Sequence, residues 1–273
     1  ALSFEQLDAL IPPLQQLLDF IAKRESQGNY NAVNRGVGGD TRKGPKALVG
    51  KNLTEMTVAE VRSYMKGFKD RGKFVPPGVN AALTGVGGKT KAVPNGSVGF
   101  LATGKYQMIP VTLRAAVQST GLDEQNVLYD ERTQETLGVW LLMSKRPVLG
   151  NYLLGKEVKV LNAAQQAALE WASLPLQFAR SNGCQRGYSA YCQGGANSSA
   201  LLKHTPEQVV QHLEAARKAV QDYASFDPIV SAIVTGKEED TPLAESTTVN
   251  SSIPPSSENA NYDGNPDDPA NWS

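Results

Sequence analysis

The stretch Arg24-Glu25-Ser26-Gln27-Gly28-Asn29-Tyr30-Asn31-Ala32-Val33-Asn34 places one carboxyl where an apolar helical segment gives way to a polar turn. Some eighty positions later, Gly104-Lys105-Tyr106-Gln107-Met108 sets an aromatic ring and an amide beside a glycine-rich run. Breaking a glycosidic bond needs a proton donor for the departing oxygen. A Glu held against apolar side chains has its pKa raised, so that it stays protonated near about pH 6–7. Leu18, Phe20, Ile21 and Ala22 precede Glu25 and supply such a wall. A lone Glu at a helix end is more often a solvated decoration, and it is the companion segments that turn Glu25 into a candidate general acid.

A second carboxylate is not obvious. Paired glycosidase carboxylates stand ~5–5.5 Å apart in retaining enzymes and ~6.5–9.5 Å apart in inverting ones. The acid that follows Glu25 most closely is Asp40, in Gly38-Gly39-Asp40-Thr41. Asp40 and Thr41 have the residue types that position a nucleophilic water, and Gly-Gly-Asp-Thr is equally the composition of an ordinary turn. Among the aromatic residues, Tyr30 and Tyr106 sit beside polar, glycine-containing turns where they could stack on sugar rings. Trp140 reads as core, and Trp171 as either core or cleft.

Other chemistries are poorly supplied. There is no phosphate-cradling glycine loop, no dinucleotide pattern and no zinc-spaced His set, so neither cofactor nor metal is expected. The two histidines, His204 and His212, are expected to cap and decorate the last helix. Cys184 and Cys192 enclose seven residues with a central Gly, a span that closes a small disulfide loop and points to an oxidising compartment. If they are instead reduced thiols, a Cys-His hydrolase is the alternative.

The elements that must position these residues are nearly all helical. Apolar periodicity predicts helices over 4–10, 13–23, 57–66, 110–119, 130–145, 162–172 and 205–224. Pro13 stands at a helix start, Thr57 and Glu60 form a capping box, and Thr205 is an N-cap ahead of Pro206. Residues 72–104 hold eight Gly and three Pro among short apolar runs, the pattern of an irregular β-rich lobe. No βαβ alternation or internal repeat is present. The expected fold class is α+β, mostly helical.

Length and composition allow one large core or two small ones in 273 residues, and no apolar run approaches the ~20 residues of a membrane-spanning helix. The neutral total hides an asymmetry. From Gly236 onward there is one Lys against eight acids, a net of −7, which leaves +7 on residues 1–235. A basic body suits an acidic partner. The cations are scattered rather than interleaved with aromatics, which weakens the case for nucleic acid, and the carboxylate-bearing bacterial cell wall fits such a body equally well. The division expected is a catalytic domain over 1–235 and an acidic Ser/Asn/Pro-rich tail over 236–273, disordered or extended, which Tyr262 and Trp272 could pin to the body. There is no secretory-signal pattern and no initiator Met, as in a segment of a longer polypeptide.

The chain resembles phage-type peptidoglycan glycosidases of the lysozyme-like superfamily, particularly the lytic transglycosylases typified by the phage lambda endolysin. The likeness rests on the Glu25 segment, on Gly104-Lys105-Tyr106-Gln107-Met108-Ile109-Pro110 and on Trp171-Ala172-Ser173-Leu174-Pro175, in that order, and covers about residues 14–220. It implies a lysozyme-like fold and a muramidase that cleaves the β-1,4 bond between N-acetylmuramic acid and N-acetylglucosamine. Glu25 matches the catalytic acid and Tyr106 and Gln107 match cleft-lining residues; Ser26, Tyr30, Asn34, Thr41 and Trp171 complete the expected substrate contacts. Either Asp40 assists a hydrolytic water or the substrate's own C6 hydroxyl closes a 1,6-anhydro ring. The expected partner is peptidoglycan glycan strands in a bacterial periplasm, reached by a phage or secretion apparatus. A glycan-binding domain without activity is the alternative.

Overall fold

Helix α1 (Phe4–Ala9) opens on a full capping box in which Ser3 and Gln6 satisfy each other's backbone N–H groups. Helix α2 (Ile11–Glu25) follows after the single residue Leu10, two positions earlier than the Pro13 start expected. The first turn of a helix has orphan N–H groups, so both Pro12 and Pro13 fit inside it without losing a hydrogen bond. Leu14, Leu17, Leu18, Ile21 and Ala22 recur at helical spacing and are all buried in the core. These helices belong to a computed structural model that describes residues 1–35, 44–65, 82–84, 90–92, 99–156, 159–193 and 200–236. Asp40, Thr41 and the stretch 237–273, with Tyr262 and Trp272, lie outside the described residues.

The remaining described helices are α3 (Lys46–Val49), α4 (Val58–Tyr64), α5 (Pro110–Thr120), α6 (Glu131–Trp140), α7 (Pro147–Leu153), α8 (Val160–Glu170), α9 (Pro206–Ala224) and α10 (Pro228–Thr235). Thr57 accepts from the backbone N–H of Glu60, as a cap should. The Glu60 carboxylate, however, pairs with Lys51 instead of returning to the cap, so only half of the expected box forms. The single helix expected over 130–145 is α6 followed by a π-turn at Leu141–Lys145, and α3, α7 and α10 lie outside the expected spans.

Helix α6 is buried on every side from Thr133 through Trp140. It packs against α1 and α2, while α9 packs against α2, α7, α8 and α10, and the polar side chains of α6 must find partners inside the protein. Helix α8 presents Ala163, Ala164, Ala167 and Ala168 to the core, small residues that admit close approach. Strands are few: β1 (Val33–Asn34) pairs antiparallel with β4 (Ala102–Thr103), Val33 opposite Thr103, and β2 (Ala82–Thr84) with β3 (Thr90–Ala92). Among the described residues the architecture is α+β, dominated by helices with two small two-stranded sheets. No helix among the described residues is long and apolar enough to cross a membrane.

Candidate active site

Glu25 is the last residue of α2, and the chain leaves it through a turn in which the N–H groups of Ser26 and Gly28 both bond to the Ala22 carbonyl. Gln27 takes the left-handed conformation at φ 57°. The other non-glycine residue with positive φ among the described residues is Gln107 at φ 51°, in the second motif. Such backbone costs about 1–3 kcal/mol per residue and collects where function over-determines the local shape.

The three motifs noted in the sequence converge here. The Ser26 hydroxyl donates to the Lys105 carbonyl at 2.6 Å, tying the Glu25 turn to the second motif. The Ser173 hydroxyl, from the third motif and 148 positions from Glu25, donates to Glu25 Oε1 at 2.6 Å, and the Ser173 backbone N–H also acts on that carboxyl. Glu25 is half-buried by surface, yet protein closes round it densely enough that burial is the largest influence on its proton affinity. That burial raises its pKa above the usual carboxylate value, the Ser173 bonds pull back in part, and the negative charge of Glu170 pushes further upward. The position at a helix C-terminus, where partial negative charge gathers, acts in the same direction.

Glu170 ends α8 and is itself locked. Lys145 Nζ lies 2.6 Å from one oxygen and Arg146 Nε 2.8 Å from the other, all three side chains being largely buried. Burial in turn lowers the Lys145 pKa. A carboxylate held by two cations is not free to attack a substrate.

Beside Ser26, the second motif is anchored by a polar network centred on Glu135 of α6. Its buried carboxylate accepts from Tyr106 Oη at 2.6 Å, Tyr30 Oη at 2.7 Å and Lys105 Nζ, and Lys105 also reaches Asp19 at 2.7 Å. Gln134, next in the helix, accepts from the Lys105 backbone N–H and donates to the carbonyls of Tyr30 and Tyr129. Gly104, at φ +77°, is required at that point. A Cβ there would stand 2.3 Å from Gln134 Oε1.

These contacts correct the stacking role expected of Tyr106 and settle Trp171, read as either core or cleft, as core. Tyr106 is buried against Gly138, where any Cβ would lie 2.6 Å from its ring, so no sugar can stack on it. Its burial beside Glu135 drives its pKa far upward. Trp171 is likewise core, 3% exposed. Tyr30 keeps part of its surface, but its hydroxyl is committed to Glu135, and burial pushes its pKa up to about 12. Gln107 directs its amide onto the carbonyls of Gly104 and Ala32, bracing the turn. Asn34 lies in β1, opposite Ala102.

The histidines do more than decorate α9. Phe20 of α2 is sandwiched between His204 and His212, with ring centroids 3.8 and 3.7 Å away, and His204 Nε2 bonds to the Phe20 carbonyl at 2.8 Å. Cys184 and Cys192 are joined by a disulfide. Among the described residues, no group of three or more His, Cys, Asp or Glu side chains could hold a metal ion.

Two cavities of about 1000 and 510 Å³ open elsewhere, and Glu25 lines neither. The larger lies among α1, α7 and α10; the smaller borders Tyr30 and Glu135. Sequence reasoning missed Ser173, Glu170 and Glu135 as parts of the candidate site. The Ser within Trp171-Ala172-Ser173-Leu174-Pro175 was the one visible signal. No protein-family model, curated protein or solved structure matches this chain.

Proposed function

We propose that this chain is a peptidoglycan-cleaving glycosidase in which Glu25 is the general acid. The observation that carries the proposal is that a carboxyl with raised proton affinity stands where three sequence-distant motifs meet, bonded to Ser173 and braced through Ser26 and Lys105. Protonated Glu25 gives its proton to the glycosidic oxygen between N-acetylmuramic acid and N-acetylglucosamine as the bond breaks. The resulting carboxylate then takes a proton from the incoming nucleophile, the same group serving in both directions. Glu170 is unavailable as that nucleophile because Lys145 and Arg146 hold it. The nucleophile is a water placed by Asp40 and Thr41, or the C6 hydroxyl of the substrate. The first yields a reducing end and the second a 1,6-anhydro end, lighter by one water.

The site of action proposed is a bacterial periplasm, whose oxidising conditions suit the Cys184–Cys192 bond. The test is addition of the chain to purified sacculi. Falling turbidity with soluble muropeptides supports the enzyme, and mass spectrometry of those products separates hydrolysis from anhydro formation. Sedimentation with sacculi without any release would identify a glycan binder and overturn the catalytic assignment.

A further inference from the structure

In a continuing α-helix the N–H of Ser173 would bond to the carbonyl four residues back, that of Leu169. It does not, and the reason lies in a different part of the chain. The Leu169 carbonyl is already occupied by the Tyr191 hydroxyl at 2.6 Å and by Arg146 Nη2 at 3.2 Å. Trp171 turns extended at φ −118°, ψ 114°, helix α8 stops at Glu170, and the Ser173 N–H and hydroxyl are both delivered to Glu25. The last carbonyls of a helix must be satisfied by some donor. Here the donor that takes Leu169 decides where Ser173 points.

Tyr191 is held by the disulfide next to it. The residue is 6% exposed and Arg180 lies over its ring at 6.0 Å. The loop is closed by Cys184–Cys192, by the Cys192 N–H on Cys184 Sγ, and by Arg180 and Asn182 donating to the Ala190 carbonyl. We infer that Tyr191 is a positioning residue for Glu25, acting through Leu169 and Ser173, and that the Cys184–Cys192 bond makes this positioning sensitive to the redox state of the surroundings. The inference rests on the proposed role of Glu25 and adds its regulation.

Cys184 is fully buried, whereas Cys192 keeps part of its surface. A dithiol reductant therefore attacks Cys192 Sγ as a thiolate. The S–S bond breaks, Cys184 leaves as a thiolate and takes a proton, and a mixed disulfide forms at Cys192. The second thiol of the reductant then closes on the first, releasing Cys192 as a thiol. Two electrons and two protons pass to the chain and the reductant becomes a cyclic disulfide. With the loop open, Tyr191 is no longer fixed on Leu169, and the acceptor position it held on the Leu169 carbonyl, beside the one kept by Arg146, opens to the Ser173 N–H.

The test reads Glu25 directly, without substrate. In the full chain labelled with ¹³C in its Glu carboxyls, the Glu25 resonance is assigned by its loss in Glu25→Gln and titrated. Besides Ser173, the charged group acting on Glu25 is Glu170 with its partners Lys145 and Arg146, none of which is altered. Tyr191→Phe in the oxidised chain, and wild type reduced with dithiothreitol, should both raise the Glu25 midpoint. Ser173→Ala should raise it by about one unit, the weight of one hydrogen bond to a charged acceptor. The Ser173 amide proton should follow the Glu25 titration in oxidised wild type and cease to follow it in Tyr191→Phe. Tyr188→Phe, in the same loop, should change neither.

An unshifted Glu25 midpoint and an unaltered Ser173 amide in Tyr191→Phe would overturn the inference, even if the variant melted earlier. Shifted midpoints in a chain that cleaves no sacculi in any state would instead refute the glycosidase proposal and leave the positioning role standing.

Discussion

Glu135→Ala is the most demanding test of how the second motif is held. In the native chain the Glu135 side chain is 6% exposed and accepts from Lys105, Tyr106 and Tyr30, with Gln15 a longer contact at 3.3 Å. Truncation strands Lys105, itself 5% exposed, with the well-exposed Asp19 as its remaining anion. Breaking a buried ion pair from one side costs about 3–5 kcal/mol. Leaving the Tyr106 hydroxyl unsatisfied adds about 1–3 kcal/mol. Water from the 510 Å³ cavity that borders Glu135 can enter and recover part of this, so the net loss expected is about 3–5 kcal/mol. For a chain of this size that is a fall in Tm on the order of 10 °C. Urea unfolding followed by circular dichroism measures it. The pair Lys105→Met with Glu135→Gln should lose less than Glu135→Ala alone, since no cation is stranded and Gln still accepts from Tyr106. A loss below about 1 kcal/mol for Glu135→Ala, or strict additivity in the pair, would refute the reasoning.

Glu25→Gln should lower cleavage of sacculi by ~10²-fold or more while the circular dichroism spectrum is unchanged. Because the folded-state pKa of Glu25 is raised, its stabilising contribution is full below the unfolded value of 4.5 and is lost as pH rises through the folded value. Gln should therefore flatten that decline, and a variant that keeps the wild-type slope would assign the slope to other groups. Gly104→Ala should cost about 2–4 kcal/mol, from left-handed backbone and the overlap with Gln134, and calorimetry showing a neutral change would contradict the packing described. The His204 pKa is lowered, chiefly by burial, so its contribution is present above the unfolded value of 6.5 and is lost as pH falls through the folded value. Acidification should loosen α2 from α9, and His204→Gln should remove part of the fall in Tm; an identical fall would exclude His204 as its source.

The helical character of the chain was legible because apolar residues at spacing three and four leave a strong signal, as in Leu14, Leu17, Leu18 and Ile21. The end of α2 at Glu25 was legible too, from the polar turn after it. What was not legible depends on partners remote in sequence. Nothing local distinguishes a stacking Tyr106 from one buried on Gly138, and no spacing rule links Ser173 to Glu25. Helix α10 was missed because its eight residues, nearly all apolar, carry little periodic contrast. Asp40 and Thr41 lie outside the described residues, so the choice of nucleophile passes to the product analysis.

The π-turn at Leu141–Lys145 has a consequence for how this chain can change. A helix turned five residues per hydrogen bond instead of four carries one residue more than its length requires, and everything after it is rotated by about 100° relative to an uninterrupted helix. That offset, followed by the non-helical backbone of Arg146 at φ −118°, ψ 83°, brings two neighbouring cations, Lys145 and Arg146, onto one carboxylate. Deleting a single residue from 141–145 would restore regular winding and swing the two cations to different faces. The angular phase of this one turn is thus a length constraint: single-residue deletions here should be far less tolerated than conservative substitutions at the same positions.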